Sequence, residues 1–296
     1  MRPYKEEKHN ISRLSVVAIV LLSIVTLILA CKVLDELSDA RKSRDYWDEL
    51  QGSVTVMAER KGEALPEPTP GVKAVPREEA IAEVPPEEET EPVTPKIVIP
   101  DAVDFDRLHA VSEDAVAWLF APGTLINYPV AQAEDNDYYL HRLLDGTEAG
   151  GGTLFADYRC SADFSDYNTV IYGHHMKNGS MFASLLGYRD PAYYAAHPVM
   201  YLYLPGTRCT LELIAGYTTD AYDIAYSVPA TKEMRDEIIS QALGKSSFIS
   251  GVTAGGEDRI VTLSTCSYDY DDARYVVIGR IVENQQTNNP GGFPLL

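Results

Sequence analysis

The chain has 296 residues and a formal net charge of −19. The length suits one or two domains with a sizeable core, and the charge argues against nucleic acid as a partner, because a phosphate backbone needs a basic surface. The four cysteines, Cys31, Cys160, Cys209 and Cys266, include no C-x-x-C pair, which argues against a zinc ribbon or thioredoxin-like site, and they are too few for a disulfide-framed secreted fold.

Residues 1–13 are charged and polar and are read as a cytoplasmic amino terminus. Leu14 to Cys31 then runs without a charge, and Val33-Leu34 extends the run past Lys32. About 20 apolar residues suffice to cross a bilayer as a helix. A cleaved signal peptide needs a shorter core and a small-residue cleavage site. A lipoprotein signal ending at Ala30-Cys31 is a looser alternative. The expectation is therefore an uncleaved transmembrane anchor over 14–34. Basic residues flank it on both sides: Arg2, Lys5, Lys8 and Arg13 before, Lys32, Arg41, Lys42 and Arg44 after. The acidic, proline-rich stretch downstream favours an inside amino end, which makes this a single-pass cell-membrane protein with its bulk extracellular.

Residues 35–60 form a mixed-charge juxtamembrane segment, with a short helix expected around Leu37, Tyr46, Trp47 and Leu50. Residues 61–100 hold nine of the 18 prolines and nine acidic residues, including Glu87-Glu88-Glu89. Proline stiffens and like charges repel, so this stretch reads as an extended spacer.

A globular composition spans 101–283. Asp104 to Trp118 is expected to form one or two short helices. Strand-like runs follow at 124–130, 153–157, 169–173, 200–204, 210–217, 260–266 and 275–282. Turn signals such as Pro122-Gly123, Asn178-Gly179 and Pro205-Gly206 separate them. Many short strands so punctuated point to a barrel or sandwich. Met234, Ile238, Ile239 and Ala242 recur at helical spacing, so a helix over 231–243 interrupts the late strands. The polar residues 284–296 read as a flexible tail. Cys160 and Cys209 either pair or remain two isolated buried thiols.

Two stretches carry chemistry. Val261-Thr-Leu-Ser-Thr-Cys266 reads as a strand ending in a thiol. Alternation puts Val261, Leu263 and Thr265 on a core face, and Thr262, Ser264 and Cys266 on a polar, wet face. A nucleophilic cysteine needs a nearby base or positive charge. His174 follows a strand that ends at Gly173, and Arg274 lies eight residues after Cys266. Histidine exchanges protons near neutral pH, whereas arginine stays charged and suits a developing oxyanion. Adjacent residues in a strand point to opposite faces, so His174 and His175 do not readily share a metal ion. The bland reading is a surface histidine and a solvated arginine. Together the three residues suit acyl transfer through a thioester.

The chain resembles class B sortases, the membrane-anchored cysteine transpeptidases of Gram-positive bacteria. The resemblance covers roughly 103–282 and rests on motifs in the right order. They are Trp118, Pro122-Gly-Thr-Leu-Ile-Asn-Tyr-Pro-Val130, Asn136-Asp-Tyr-Tyr-Leu-His141, Phe155-Ala-Asp-Tyr-Arg159, Tyr172-Gly-His174-His-Met, Ser180-Met-Phe182, Leu263-Ser-Thr-Cys266 and Arg274-Tyr-Val-Val277. It implies a mainly β fold: a closed eight-stranded barrel with short amino-terminal helices and one helix between late strands. By motif, it makes Cys266 the nucleophile and acyl-thioester carrier, His174 the general acid/base and Arg274 the transition-state stabiliser. Ser264 and Thr265, and more weakly Asn127, become substrate contacts. No metal or cofactor is implied. The implied partners are secreted proteins bearing a carboxy-terminal sorting signal, of the Asn-Pro-x-Thr-Asn or Pro-x-Thr-Gly kind, and an amine of a peptidoglycan precursor. Alternatives are a pilin-polymerising sortase, a thiol peptidase using water, and a wall-tethered peptide-binding module.

Overall fold

The computed structural model describes residues 13–56 and 98–286. Most of the linker, the first twelve residues and the tail from 287 onward lie outside the described residues.

A single helix, α1 (Arg13–Val54), joins the apolar stretch and the juxtamembrane segment without a break. Nothing between the two halves stops a helix, since the chain from Lys32 to Leu50 contains neither proline nor glycine. The apolar half from Val17 onward is exposed along its length. The far half carries Trp47, Leu50 and Val54 into the core. A two-stranded ribbon follows, made by β1 (Thr55–Val56) and β2 (Ala102–Val103), then a short helix α2 (Phe105–Val111). Asp104 caps α2 by accepting a hydrogen bond from the Arg107 backbone N–H.

Eight strands then close into a barrel: β3 (Ala115–Phe120), β4 (Asn127–Ala131), β5 (Leu154–Ala156), β6 (Asn168–Tyr172), β7 (Val199–Leu204), β8 (Thr207–Thr219), β9 (Ile260–Cys266) and β10 (Arg274–Gln286). Their order around the barrel is β10-β8-β7-β3-β4-β5-β6-β9. The β4–β5 and β6–β9 pairs are parallel and the others antiparallel. A short helix α3 (Pro191–Ala196) precedes β7, and α4 (Lys232–Lys245) lies between β8 and β9. Thr231 caps α4, accepting from the Met234 N–H.

The expected helical reading of 104–118 holds only for its first half. Ala115-Val-Ala-Trp-Leu-Phe120 is a strand, and it supplies the eighth stave. A short continuous apolar run carries no period, so helix and strand look alike in it. Trp118 sits fully buried and donates its indole N–H to the Asn127 side-chain oxygen at 2.8 Å. Cys160 and Cys209 are both buried free thiols. Burial pushes each of them up to about 11.

Side chains on the barrel's inner surface, including Leu119, Leu202, Leu263 and Val277, form the main core. A second layer lies outside the barrel, where α4 covers β8, β9 and β10. There Ile238, Ile239 and Ala242 meet Ile214, Ile260, Val276 and Ile278. Arg235 is buried among them and donates to the carbonyls of Asp258 and Gly256, fastening α4 to the approach to β9. Ile238→Ala leaves a cavity under α4 and is expected to cost about 2–5 kcal/mol. In urea unfolding, the midpoint should fall with an unchanged slope; an unchanged midpoint contradicts the α4 packing described here.

Candidate active site

The positions of Cys266, His174 and Arg274 follow from strand register. In the β9–β10 pair Cys266 lies directly opposite Arg274. In the β6–β9 pair the last matched residues are Tyr172 and Ser264, and the Gly173 N–H donates to the Ser264 carbonyl at 3.1 Å. Each strand needs two more residues to reach His174 and Cys266. Neighbouring strands run about 4.8 Å apart. The register therefore brings a thiol, an imidazole and a guanidinium to one end of the barrel, on three adjacent strands. Cys266 and Arg274 are both partly exposed.

His174 is half-buried. Its Nε2 lies 2.8 Å from the Leu140 carbonyl oxygen. A carbonyl only accepts, so Nε2 carries the proton and Nδ1 is the basic nitrogen of the neutral ring. The His141 ring stacks on it with centroids 5.5 Å apart. Burial holds the imidazole below its ordinary value, helped by neighbouring His141 and opposed by the Leu140 carbonyl. The two histidines of the pair go separate ways, for His175 packs against Tyr268 at 5.2 Å. Gly173 admits no side chain: a Cβ there would come within 2.7 Å of the Phe182 ring and closer still to Leu154.

The face expected to be wet is covered. Thr262 and Ser264 are buried, and only Cys266 at the strand end reaches solvent. The cover is the segment between β8 and α4. The hydroxyls of Tyr226 and Ser264 lie 2.8 Å apart, and Asn168 joins the Thr262 hydroxyl to the carbonyls of Ala225 and Ser227. Cover and polar pairing go together, because buried hydroxyls and amides need partners. Burial, above all, pushes the Tyr226 hydroxyl up to about 12, with the nearby Arg274 cation opposing it.

The residues expected to contact substrate are covered or already have partners in the free chain. Ser264 is enclosed beneath Tyr226. Thr265 is also enclosed, because alternation turns it into the barrel opposite Tyr275. The Asn127 amide bonds Trp118 and Gln51 of α1, and the half-buried residue lines a cavity that His174 also lines.

Two groups of residues to which the sequence assigned no role support the site. Asp157 is fully enclosed and takes two hydrogen bonds of 2.8 Å from Arg159, one of 2.9 Å from the Tyr172 hydroxyl and one of 3.1 Å from Asn136. Burial pushes its carboxyl up, but these donors outweigh it and hold the group below the usual range. Tyr172 in turn stacks on Tyr226. Asp157-Tyr-Arg159 is visible within a motif, but its partners are distant in sequence. The second group restrains the loop after the nucleophile: Asp269 binds Arg189 and the Ser267 hydroxyl. Arg189 carries no sequence signal.

No family model matches the chain. The sortase B of Listeria monocytogenes is 41% identical over 179 residues, covering 59% of this chain and 72% of that protein. The solved Staphylococcus aureus sortase B–substrate complex aligns with a TM-score of 0.58 and 28% identity, over 62% of this chain and 86% of that one. A sortase B complexed with a glycine tripeptide aligns to the same extent.

His174 is expected to titrate below 6.5 in a histidine NMR titration; a value above 6.5 contradicts the environment described here. Between the folded and unfolded values the folded state binds fewer protons, so stability should fall as pH drops from 6.5 through that interval. His174→Gln should flatten that part of the stability profile.

Proposed function

Since the chain belongs to the class B sortase family, we propose that Cys266, His174 and Arg274 are the residues that carry out its reaction. The chain is a cysteine transpeptidase of the kind that anchors proteins to the cell wall. The observation that best supports the assignment is the strand register: a thiol, an imidazole and a permanent cation end three neighbouring strands at one rim of the barrel.

In the first half-reaction the basic Nδ1 of His174 takes the Cys266 thiol proton, and the sulfur attacks the carbonyl carbon of a sorting-signal peptide. Arg274 faces the oxygen on which negative charge develops, and its fixed donors are worth most in a partly desolvated site. The carbon–nitrogen bond breaks, and the departing amine takes a proton from the His174 ring. This leaves an acyl thioester on Cys266. In the second half-reaction an amine attacks that thioester, the carbon–sulfur bond breaks and the sulfur regains its electron pair. His174 now receives the proton, since the acid of one step is the base of its reverse. The relative complexed with a glycine tripeptide is consistent with a glycine-type amine as acceptor here. The substrate-bound Staphylococcus aureus relative supports an extended sorting signal, of the Asn-Pro-x-Thr-Asn or Pro-x-Thr-Gly kind, as donor. The exposed apolar half of α1 supports a membrane anchor with the barrel on the outer side, where wall precursors emerge.

Cys266→Ala is expected to lower sorting-peptide cleavage by at least about a thousandfold, and Arg274→Lys by about a hundredfold, with folding unchanged. Intact mass after incubation with the peptide should show an acyl adduct on wild-type protein and none on Cys266→Ala. Undiminished cleavage by that variant overturns the assignment.

A further inference from the structure

The far half of α1 does more than tether. It docks on the barrel through Trp47, whose ring meets Tyr128 edge-on at 5.6 Å, and through Gln51. Gln51 donates to the Asn127 carbonyl at 2.8 Å and accepts from the Asn127 amide at 3.0 Å. Between these contacts and the apolar half of the helix, α1 and the barrel flank a half-open cavity of about 920 Å³. Leu37 and Ala40 line it from the helix, and His174, His175 and Tyr268 line it from the rim of the barrel. The Nδ1 of His175 is shielded from solvent and has no hydrogen-bond partner.

We propose that this cavity is the acceptor path of the second half-reaction, with α1 as one wall and a peptide-borne primary ammonium as the ligand it admits. The proposal rests on the roles given above to Cys266 and His174. The incoming amine must deliver its proton to the same imidazole that protonated the leaving one, so it must approach from the side His174 faces. His174 lines the cavity that α1 covers, while Cys266 and Arg274 are not among its lining residues, so the path leads to the imidazole and the amine passes that ring to reach the thioester. The cavity's charge fits a cation: Glu36, Asp39 and Asp48 of α1 contribute to the wall, against Arg44 and Lys177. An ammonium drawn in by these carboxylates sheds one proton to solvent. As the free amine it then attacks the thioester carbon; the carbon–sulfur bond breaks, its electron pair returns to sulfur, and the nitrogen's second proton passes to His174.

The test compares products of one thioester, so it does not depend on how fast the thioester forms. Full-length protein in nanodiscs is given a sorting peptide and triglycinamide, and the ratio of amide to hydrolysed product is measured. Ala40→Trp fills the cavity and should lower that ratio about tenfold. Glu36→Gln combined with Asp48→Asn should lower it about threefold at low salt, with the difference vanishing at high salt. These last two positions are exposed, so this variant folds even if a tryptophan at position 40 lifts α1 from the barrel. Hydroxylamine, small and uncharged at neutral pH, should give the same ratio in wild type and in the charge variant. Ratios unchanged in both variants, with the thioester still forming, overturn the acceptor path alone. Failure of the wild-type protein to form any thioester overturns the underlying assignment of Cys266.

Discussion

The site depends on the parallel pairing of β6 with β9. Parallel neighbours end on the same side of a sheet, whereas a hairpin partner begins where its predecessor ends. Thus β6 and β9 deliver His174 and Cys266 to one rim, and β10 starts there with Arg274. Residues far apart in the chain meet because of this one topological choice. The Gly173–Ser264 hydrogen bond is the last rung that holds the register. A slip of one residue would turn every side chain of β9 to the opposite face, taking the sulfur with it. The absence of a side chain at Gly173 belongs to the same constraint, since Phe182 and Leu154 fill that space.

Register sets level; the layer outside the barrel sets environment. Without the segment around Tyr226, Ser264 and Thr262 would face water and Cys266 would end an ordinary exposed strand. With it, the outer face of β9 is sealed up to the last residue. The polar groups beneath are paired through Asn168, Tyr226 and Tyr172, and that chain of contacts ends on the enclosed carboxylate of Asp157. A buried carboxylate with this many donors is costly to disturb, because removing one partner strands the others. The network fixes the floor of the site while leaving the thiol open.

How much of this is legible in the sequence depends on how local each signal is. Alternation from Val261 to Cys266 and the strand ending before His174 are local patterns, and the strands stand where those patterns put them. The helical spacing of Met234, Ile238, Ile239 and Ala242 likewise marks α4. Ala115–Phe120 escapes because a run buried on nearly every residue has no period to read. The covered face escapes for a different reason: alternation separates two faces but does not say what packs on either. That Tyr226 lies over Ser264 and Tyr275 opposite Thr265 is likewise invisible, because both partners are distant in the chain. Arg189 has no local mark at all, since its role is defined by Asp269, 80 positions later. The join between the apolar stretch and the mixed-charge helix after it is hidden because composition changes there and backbone structure does not.

A crystal structure of the protein trapped at its nucleophile by a sorting-peptide chloromethyl ketone examines the central claim most directly. A covalent bond to the Cys266 sulfur is expected, with the Arg274 guanidinium about 2.7–3.2 Å from the trapped carbonyl oxygen. The His174 ring should lie on the side from which an amine arrives or departs. An adduct on another residue, or on Cys266 with Arg274 and His174 both turned away from the carbonyl, contradicts the claim.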